Sequence, residues 1–294
     1  MALSNLCTDV QGIILSQLLR KTLEPRRAMY FSSASTELRA LLTPAAQHQL
    51  RANFVEAKAF CLKVDMQDCK ELREATVVEW ESKDLYAADM ATLAKLGSML
   101  PALRVLALSW CSQDPDGVQR FAEGLVAGSL PALTELYIYD SYVGDAGASA
   151  IADALDRGAL LRLDNLSLFF NTDIGDAGLV ALAPALWRRP ALEQLCLSDN
   201  PLGDDGLAAL VAPPVAPPPP TGTPAGELRQ LKRLNLEDTK ITGAGCDTLA
   251  HALVSGALPA LEELELHRIP ASGAAKAAVR AARANLVVGA DAIS

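Results

Sequence analysis

One sequence unit recurs along most of this chain and constrains its fold more than any other feature. Each copy has a leucine-rich stretch with alternating apolar residues, then a Gly-Asp-x-Gly or related turn, and then an alanine-rich segment. A regular period of this kind indicates a solenoid, because one unit cannot bury its apolar face until a neighbouring unit stacks on it. The clearest copies start 30, 30, 29, 39 and 30 residues apart, at Leu103, Leu133, Leu163, Leu192, Leu231 and Leu261.

The first half of each unit predicts a short strand. When each unit is numbered from its first leucine, apolar side chains occupy positions 1, 4 and 6, as at Leu133, Leu136 and Ile138. Alternate side chains of a strand point to opposite faces, so positions 4 and 6 are expected inside the solenoid. Position 9 is Asn171 in one copy and Asn200 in another. These amides can pair with backbone groups that would otherwise be buried without a partner.

The second half of each unit predicts a helix. Asp145, Asp176 and Asp204 stand in the turns, where a carboxylate can cap or charge a helix N-terminus. Counted from the last glycine of each turn, apolar residues recur at +1, +4 and +8, which draws one stripe along a helix. The stripes are Val118, Phe121 and Leu125; Ala148, Ile151 and Leu155; Leu179, Leu182 and Leu186; Cys246, Leu249 and Leu253.

These units resemble the long, ribonuclease-inhibitor-like class of leucine-rich repeat. The pattern of that class, L-x-x-L-x-L-x-x-N followed by an L-x-D-x-G helix start, is nearly literal in residues 192–206. The resemblance covers about residues 70–294, with a degraded first copy at Arg73–Glu81, in register 30 residues before Leu103. It implies an α/β fold, namely a right-handed leucine-rich-repeat solenoid with parallel strands on the concave side and helices on the convex side.

Two segments depart from the period. A proline-rich insertion at residues 213–224 lengthens one unit to 39 residues and ends its helix after Val211, because proline cannot continue a helix. We interpret it as a surface loop; the alternative is a polyproline ligand for an SH3-like partner. The last helix carries Lys276, Arg280 and Arg283 along one side. This side is expected to be the solvated face of a capping helix, with a basic docking face as the alternative.

Residues 1–60 do not follow the repeat and predict an all-α N-terminal module, so the repeat domain is expected at residues 61–294. Helical patterns lie around Thr8–Leu19, Pro25–Leu42 and Ala45–Phe60. Residues 1–58 carry a net charge of +3, against −12 on the remainder of the chain.

The N-terminal module resembles an F-box. Residues 6–9 match the L-P-x-[DE] motif of that family with Cys7 in place of proline, and residues 35–41 match V-S-x-x-[WF]-R-x-L with Leu38 in place of the aromatic residue. The competing interpretation is a helical cap over the exposed core edge of the first repeat. The resemblance implies a Skp1-type adaptor, an acidic protein that suits the positive module, docked on Leu6, Val10, Ile14 and Leu18.

The outward positions of the strands form the predicted binding site. Positions 3, 5, 7 and 8 carry aromatic side chains in the first half of the solenoid and acids in the second half. Large exposed aromatic side chains are enriched at interface hot spots, so we expect a protein ligand on the concave face. The alternative is that some of these aromatic side chains, especially Trp80 and Trp110, cover the junction with the N-terminal helices. The candidate residues are Trp80, Trp110, Tyr137, Tyr139, Asp140, Phe169, Phe170, Asp199, Glu237, Asp238 and His267.

Composition and motifs argue against several functional classes. A net charge of −9 disfavours nucleic acid as the main partner, since a grip on phosphates needs excess lysine and arginine. The six cysteines form no C-x-x-C pair and no histidine cluster accompanies them, so we expect no metal and reduced thiols in an intracellular protein, cytoplasmic or nuclear. No stretch approaches the roughly 20 apolar residues of a membrane span. No P-loop, G-x-S-x-G, G-x-G-x-x-G or H-E-x-x-H motif occurs, which predicts neither a cofactor nor an enzyme.

The sequence therefore predicts a non-enzymatic protein–protein interaction scaffold, with the F-box resemblance implying a substrate receptor of an SCF-type ubiquitin ligase. One alternative is a GTPase-activating protein resembling the Ran-activating family, which uses the same long repeats but commonly carries an acidic C-terminal tail, absent from residues 284–294. Others are a plain repeat adaptor without a ligase role and a repeat fragment of a nucleotide-sensing immune receptor, although no P-loop module is present.

Overall fold

The computed structural model describes residues 44–111, 114–171, 173–189, 191–211 and 228–289 of the chain. Strands and helices alternate through the repeats. The strands are β1 Val77–Glu81, β2 Val105–Ser109, β3 Glu135–Tyr139, β4 Asn165–Ser167, β5 Gln194–Cys196, β6 Arg233–Asn235, β7 Glu263–Glu265 and β8 Val287–Gly289. The helices are α1 Pro44–Lys63, α2 Cys69–Glu74, α3 Ala87–Leu96, α4 Gly117–Gly124, α5 Gly144–Asp156, α6 Asp176–Trp187, α7 Asp204–Val211, α8 Gly243–Val254 and α9 Gly273–Ala281.

The strands of the described residues form one parallel eight-stranded sheet in chain order, β1 to β8. Equivalent repeat positions lie side by side: Leu106 pairs with Leu136, and Leu166 pairs with both Leu136 and Leu195. These four leucines are at most 1% exposed. Parallel neighbours need a crossover connection, and the helices supply it, each packing on the next from α3 to α9. The predicted α/β leucine-rich-repeat solenoid is confirmed.

The predicted apolar helix stripes face the sheet. All twelve of their residues are buried, with exposures between 0% at Val118 and 3% at Leu253. The stripes and the strand leucines together form one continuous core along the solenoid. Burying one large apolar side chain of this core stabilises the fold by about 1.5–3 kcal/mol.

The position-9 asparagines pair with backbone groups of their own and the preceding repeat. Oδ1 of Asn171 accepts a hydrogen bond from the amide of Ser141 at 3.0 Å, and its Nδ2 donates to the carbonyl of Ile138 at 2.9 Å. Asn200 Nδ2 donates to the carbonyl of Leu168 at 2.8 Å. These bonds satisfy backbone groups in the dry interior, as predicted, and they also tie consecutive repeats together.

The turn aspartates cap helices across the repeat boundary. Asp145 Oδ1 accepts hydrogen bonds from the amides of Gly175 and Gly178 in the next repeat, both at 2.8 Å. Asp176 bonds in the same way to Gly203 and Gly206, at 2.6 and 2.9 Å. Each carboxylate therefore serves the helix N-terminus that follows its own, where unpaired amides and the helix dipole favour a negative charge.

Arginines make the corresponding links at helix C-termini. Arg157 donates from Nη2 to the carbonyl of Ala122 at 2.9 Å, which lies in the preceding helix α4. Arg283 donates from Nη2 to the carbonyl of Ala257 at 2.6 Å. Lys276 is only 6% exposed. The prediction of a solvated or docking face is therefore corrected: Lys276 is buried, Arg283 binds the preceding repeat, and Arg280 donates to the carbonyl of Val288 at 3.3 Å.

The first repeat is shifted from its predicted register. Val78 pairs with Leu106 and Trp80 with Leu108, a spacing of 28 residues in place of the predicted 30. Trp80 thus occupies the buried position 6 and is 4% exposed. Its ring meets that of Phe60 edge to face, with centroids 5.5 Å apart. The prediction of Trp80 on the concave surface is wrong, because helix α1 covers the end of the core and supplies a packing partner for the indole.

Helix α1 spans the predicted boundary between residues 60 and 61. It includes the helix predicted at residues 45–60 and runs on to Lys63, with Phe60 and Cys61 buried at 2% and 0%. This helix packs on α3 and closes the first repeat. The described part of helix α7 extends to Val211. The insertion at 213–224 lies outside the described residues.

Candidate functional site

The concave face consists of the odd strand positions, which alternate with buried leucines. In β2 and β3 the positions 3, 5 and 7 are partly exposed, while positions 4 and 6 are buried. The register places equivalent positions of successive repeats next to each other, so that Ala107 lies beside Tyr137 and Tyr137 beside Ser167. Any surface feature of this face is therefore a column of residues about 30 apart in sequence.

An aromatic patch, formed by Tyr139, Phe169 and Phe170, lies at the end of β3 and β4. The rings of Tyr139 and Phe169 are stacked with centroids 4.3 Å apart and an interplanar angle of 14°. Phe170 lies 5.6 Å from Tyr139 at an angle of 51°. The two phenylalanines are 36% and 37% exposed. The structure thus brings together three of the predicted residues into one rigid apolar surface, the kind that anchors protein interfaces.

Position 8 has a left-handed backbone in six successive repeats, although none of its residues is glycine. Such a conformation costs an ordinary residue of the order of 1 kcal/mol, and here the turn out of the strand imposes it. Trp110, which is 51% exposed, and Asp140 belong to this column next to the aromatic patch. The φ angles are 54° at Trp110, 44° at Asp140, 57° at Phe170, 56° at Asp199, 53° at Asp238 and 53° at Arg268.

Tyr137 is held within the face. Its hydroxyl donates to Glu135 at 2.6 Å and accepts from Nδ2 of Asn165 at 2.9 Å. Partial burial, together with the Glu135 carboxylate, raises the pKa of Tyr137 to about 12. These two hydrogen bonds fix the side chain of Tyr137 in the central part of the concave face.

The predicted acids of the second half are organised around one arginine. Arg268 Nη1 lies 3.0 Å from Glu237 Oε1, and its guanidinium also pairs with Asp238. Burial and the neighbouring Asp238 raise the pKa of Asp199. His267 contacts Glu265, with Nδ1 and Oε2 3.0 Å apart. These residues lie together, but Glu237 and Asp238 are already paired with a cation.

A cavity of about 320 Å³ opens in the middle of the concave face. Position 5 is small in three successive repeats, at Ser167, Cys196 and Asn235, while the same position carries Tyr137 on one side and Glu265 on the other. The cavity results from this column of small side chains between two larger ones. Sequence reasoning missed it, although the aligned repeats contain the signal.

Three further features of the described residues bear on function. No group of three or more histidine, cysteine or acidic side chains in the described ranges could hold a metal ion. The described cysteines are free thiols, and burial raises the pKa of Cys61 to about 12 and that of Cys246 to about 11, which disfavours the reactive thiolate. Across those ranges, every helix is too short or too polar to cross a bilayer. Leu6, Val10, Ile14 and Leu18, the predicted adaptor-binding residues, lie outside the described residues.

The chain has similarities to known proteins in sequence and in structure. A family profile described as leucine-rich repeat matches residues 165–183, 190–211 and 228–250. An internalin (InlF) from Listeria monocytogenes, whose structure is solved, is 14% identical, with a TM-score of 0.32 over 82% of this chain and 91% of its own. Ribonuclease inhibitor from Sus scrofa is 33% identical over 174 residues, which are 58% of this chain and 35% of that protein. The chain thus spans about a third of the length of this curated relative. The chain is thus similar to a leucine-rich repeat over part of residues 165–250, and to a ribonuclease inhibitor over 174 residues.

Proposed function

We propose that the protein is a non-enzymatic interaction scaffold whose concave face binds a protein ligand. The observation that carries this proposal is the aromatic patch, in which Tyr139 and Phe169 stack in parallel beside Phe170 and remain accessible to solvent. Exposed apolar surface of this kind is costly in water and is recovered when a partner covers it. The name of the curated relative, ribonuclease inhibitor, describes a protein that acts on other proteins, and this supports the proposal.

The geometry also gives the scaffold a physical mechanism. The stacked rings fix one another, and position 8 fixes the backbone of Phe170, so little conformational entropy is lost when a ligand covers the patch. The net charge of −12 outside residues 1–58 attracts ligands with a basic surface and speeds their association. The ligand is therefore held by apolar anchors and guided by charge, without any covalent step.

The test is a triple substitution, Tyr139→Ala, Phe169→Ala and Phe170→Ala, in the full chain. Affinity capture followed by mass spectrometry identifies ligands of the unmodified protein, and their affinity for the variant is then measured. Loss of two or more hot-spot side chains should weaken binding by about 30-fold or more. The control is Val180→Ala with Val254→Ala, exposed at 47% and 71% on helices α6 and α8. Equal affinity of the variant and the control would refute the proposal.

In its finer form, the proposal makes the scaffold the substrate receptor of an SCF-type ubiquitin ligase inside the cell. Its support is the F-box resemblance of residues 6–9 and 35–41. Val10→Asp with Ile14→Asp should abolish co-precipitation of a Skp1-type adaptor, because a charge in an apolar helix–adaptor contact is not solvated. Gln11→Asp adds the same charge at a polar position and should leave co-precipitation intact. If the unmodified chain recovers no adaptor, the protein is a plain repeat adaptor.

The alternative of a GTPase-activating protein is tested on the same preparation. A scaffold does not change the rate of GTP hydrolysis by a small GTPase of the Ran type, whereas an activating protein raises it by orders of magnitude. A stimulated rate would replace the ligase proposal.

A further inference from the structure

The cavity on the concave face has the dimensions of a ligand pocket. Its volume of about 320 Å³ lies at the lower end of the range for small-molecule sites, about 300–1,000 Å³, and suits one long side chain. Ser167, Cys196 and Asn235 lie between Tyr137 and Glu265 along the column of position 5. The open centre of the sheet is therefore bordered by an aromatic ring and by a carboxylate.

The polar groups around the cavity favour a donor of hydrogen bonds. Asn165 directs Nδ2 to the hydroxyl of Tyr137, which leaves its carbonyl oxygen as an acceptor. Arg233 is neutralised by Glu263, with Nε and Oε2 2.8 Å apart. Glu265 also lines the cavity, and its buried Oε2 lies 3.0 Å from Nδ1 of His267. The cavity thus offers oxygen acceptors and the Glu265 carboxylate, which pairs with no lysine or arginine of the lining.

The surroundings of the cavity add negative charge. Glu135 accepts the hydrogen bond of the Tyr137 hydroxyl, and Asp164, just before β4, interacts electrostatically with both Glu135 and Glu193. Burial and these two carboxylates raise the pKa of Asp164, the direction expected where carboxylates repel one another. Glu193 is paired with Lys232 at 2.8 Å, but no comparable ion pair is made by Glu135 or Asp164 within the described residues. These three carboxylates outnumber the neighbouring cations Arg104 and Lys232, so the charge around the cavity is negative and attracts a cation.

We propose that this cavity receives an arginine side chain of the protein ligand, an inference that rests on the proposed function and specifies the partner's chemistry. A guanidinium group is planar and carries five donors, so it can stack on the ring of Tyr137 while it donates to oxygen acceptors on both sides. An ammonium group is more strongly hydrated and lacks the flat face. The aromatic patch at the ends of β3 and β4 then contacts an apolar residue of the same ligand surface.

Cys196 provides a direct reporter of occupancy. Its side chain lines the cavity and is partly exposed, whereas Cys61, Cys111 and Cys246 are buried. The probes are N-acetylarginine amide and N-acetylcitrulline amide, which has a similar shape but no charge. Carbamidomethylation of Cys196 by iodoacetamide is followed by peptide-mapping mass spectrometry. At a probe concentration of about ten times its Kd, the arginine probe should slow the reaction about tenfold, and the citrulline probe should not.

A matched pair of variants locates the binding. Glu265→Gln removes the carboxylate charge on the β7 side of the cavity and should raise the Kd of the arginine probe about tenfold. Glu81→Gln removes a carboxylate of β1, outside the cavity, and should leave the Kd unchanged. Equal protection by the citrulline probe, or full protection of Glu265→Gln, would overturn the proposal. Equal protection by N-acetyllysine amide would overturn the assignment to arginine.

The failure of this inference is distinguishable from the failure of the scaffold proposal. Ser167→Tyr places a large side chain in the cavity and should reduce ligand capture by the full chain. If Ser167→Tyr captures the ligand normally while the aromatic triple variant does not, the scaffold proposal stands and the arginine pocket is refuted. If neither variant changes capture, both are refuted.

Discussion

Asp145 and Gly178 lie in neighbouring repeats and are joined by a hydrogen bond of 2.8 Å from the glycine amide to Oδ1 of the aspartate. The carboxylate occupies the space in which another residue would carry its Cβ, since an ideal Cβ on Gly178 would lie 2.6 Å from Oδ1. The aspartate and the last glycine of the recurring Gly-Asp-x-Gly turn thus depend on each other across the repeat boundary. The aspartate of one repeat needs the last glycine of the next.

Gly206→Ala should destabilise the protein by about 1–3 kcal/mol, because a Cβ there would lie 2.7 Å from Asp176 Oδ1 and 3.2 Å from its Cα. Chemical denaturation followed by circular dichroism measures the change. Gly273→Ala at the start of α9 is the matched control, since no atom lies within 4 Å of its added Cβ. Equal stabilities of the two variants would contradict the steric argument.

Asp176→Ala should lower the free energy of unfolding by about 1.5–3 kcal/mol, because the amides of Gly203 and Gly206 lose their charged acceptor. The neighbouring Asp205 is exposed in the first turn of α7, and Asp205→Ala should cost less than about 0.5 kcal/mol. The two variants remove the same charge, so a similar loss of stability in both would show that the link between repeats is unimportant.

Trp80→Ala and Trp110→Ala separate the two tryptophans that the sequence placed on one surface. Trp80 is 4% exposed and packs on Phe60, so its truncation should cost about 3–5 kcal/mol. Trp110 is 51% exposed, and its truncation should change stability by less than about 0.5 kcal/mol. Thermal denaturation of both variants is the measurement, and a stable Trp80 variant would contradict the position of α1.

The raised pKa of Tyr137 predicts a stability that depends on pH in the alkaline range. The folded protein favours the neutral phenol up to a pKa of about 12, whereas the unfolded chain ionises near the ordinary value of 10.0. This contribution is fully present below pH 10 and is lost as the pH rises towards 12. Tyr137→Phe should show a smaller decrease in stability between these two pH values. Parallel decreases in both proteins would show that Tyr137 ionises normally.

Much of the fold could be predicted because the leucine spacing is local information. Positions 4 and 6 of the clear repeats, such as Leu136 and Leu166, fix both burial and register once the period is known. The first repeat lacks this spacing: both Thr76 with Val78 and Val78 with Trp80 alternate correctly. The second register is the one observed, because Trp80 then packs on Phe60. Phe60 belongs to helix α1, so the spacing of residues within the first repeat does not predict this contact.

The site could be predicted only in part, for a similar reason. The sequence places Tyr139, Phe169 and Phe170 on the outer face, but their stacking depends on the register between β3 and β4. Arg283 looked like a solvated charge because its acceptors, the carbonyls of Ala257 and Leu258, lie in the preceding repeat. Contacts with another repeat or with helix α1, rather than contacts within one repeat, account for these corrections.

The hydrogen bonds by which the turn aspartates join neighbouring repeats occur only in the middle of the described solenoid. The first of these hydrogen bonds is accepted by Asp145, and the last is donated by the amide of Thr242 to Asp204. The residue equivalent to Asp145 is Pro115 in the repeat before it and Gly243 in the repeat that contains Thr242. Neither residue has a carboxylate, so the outer repeats lack this particular link. Amide protons of α6 and α7 should therefore exchange with solvent last, and a ligand that spans β3 to β7 would slow fraying from both termini.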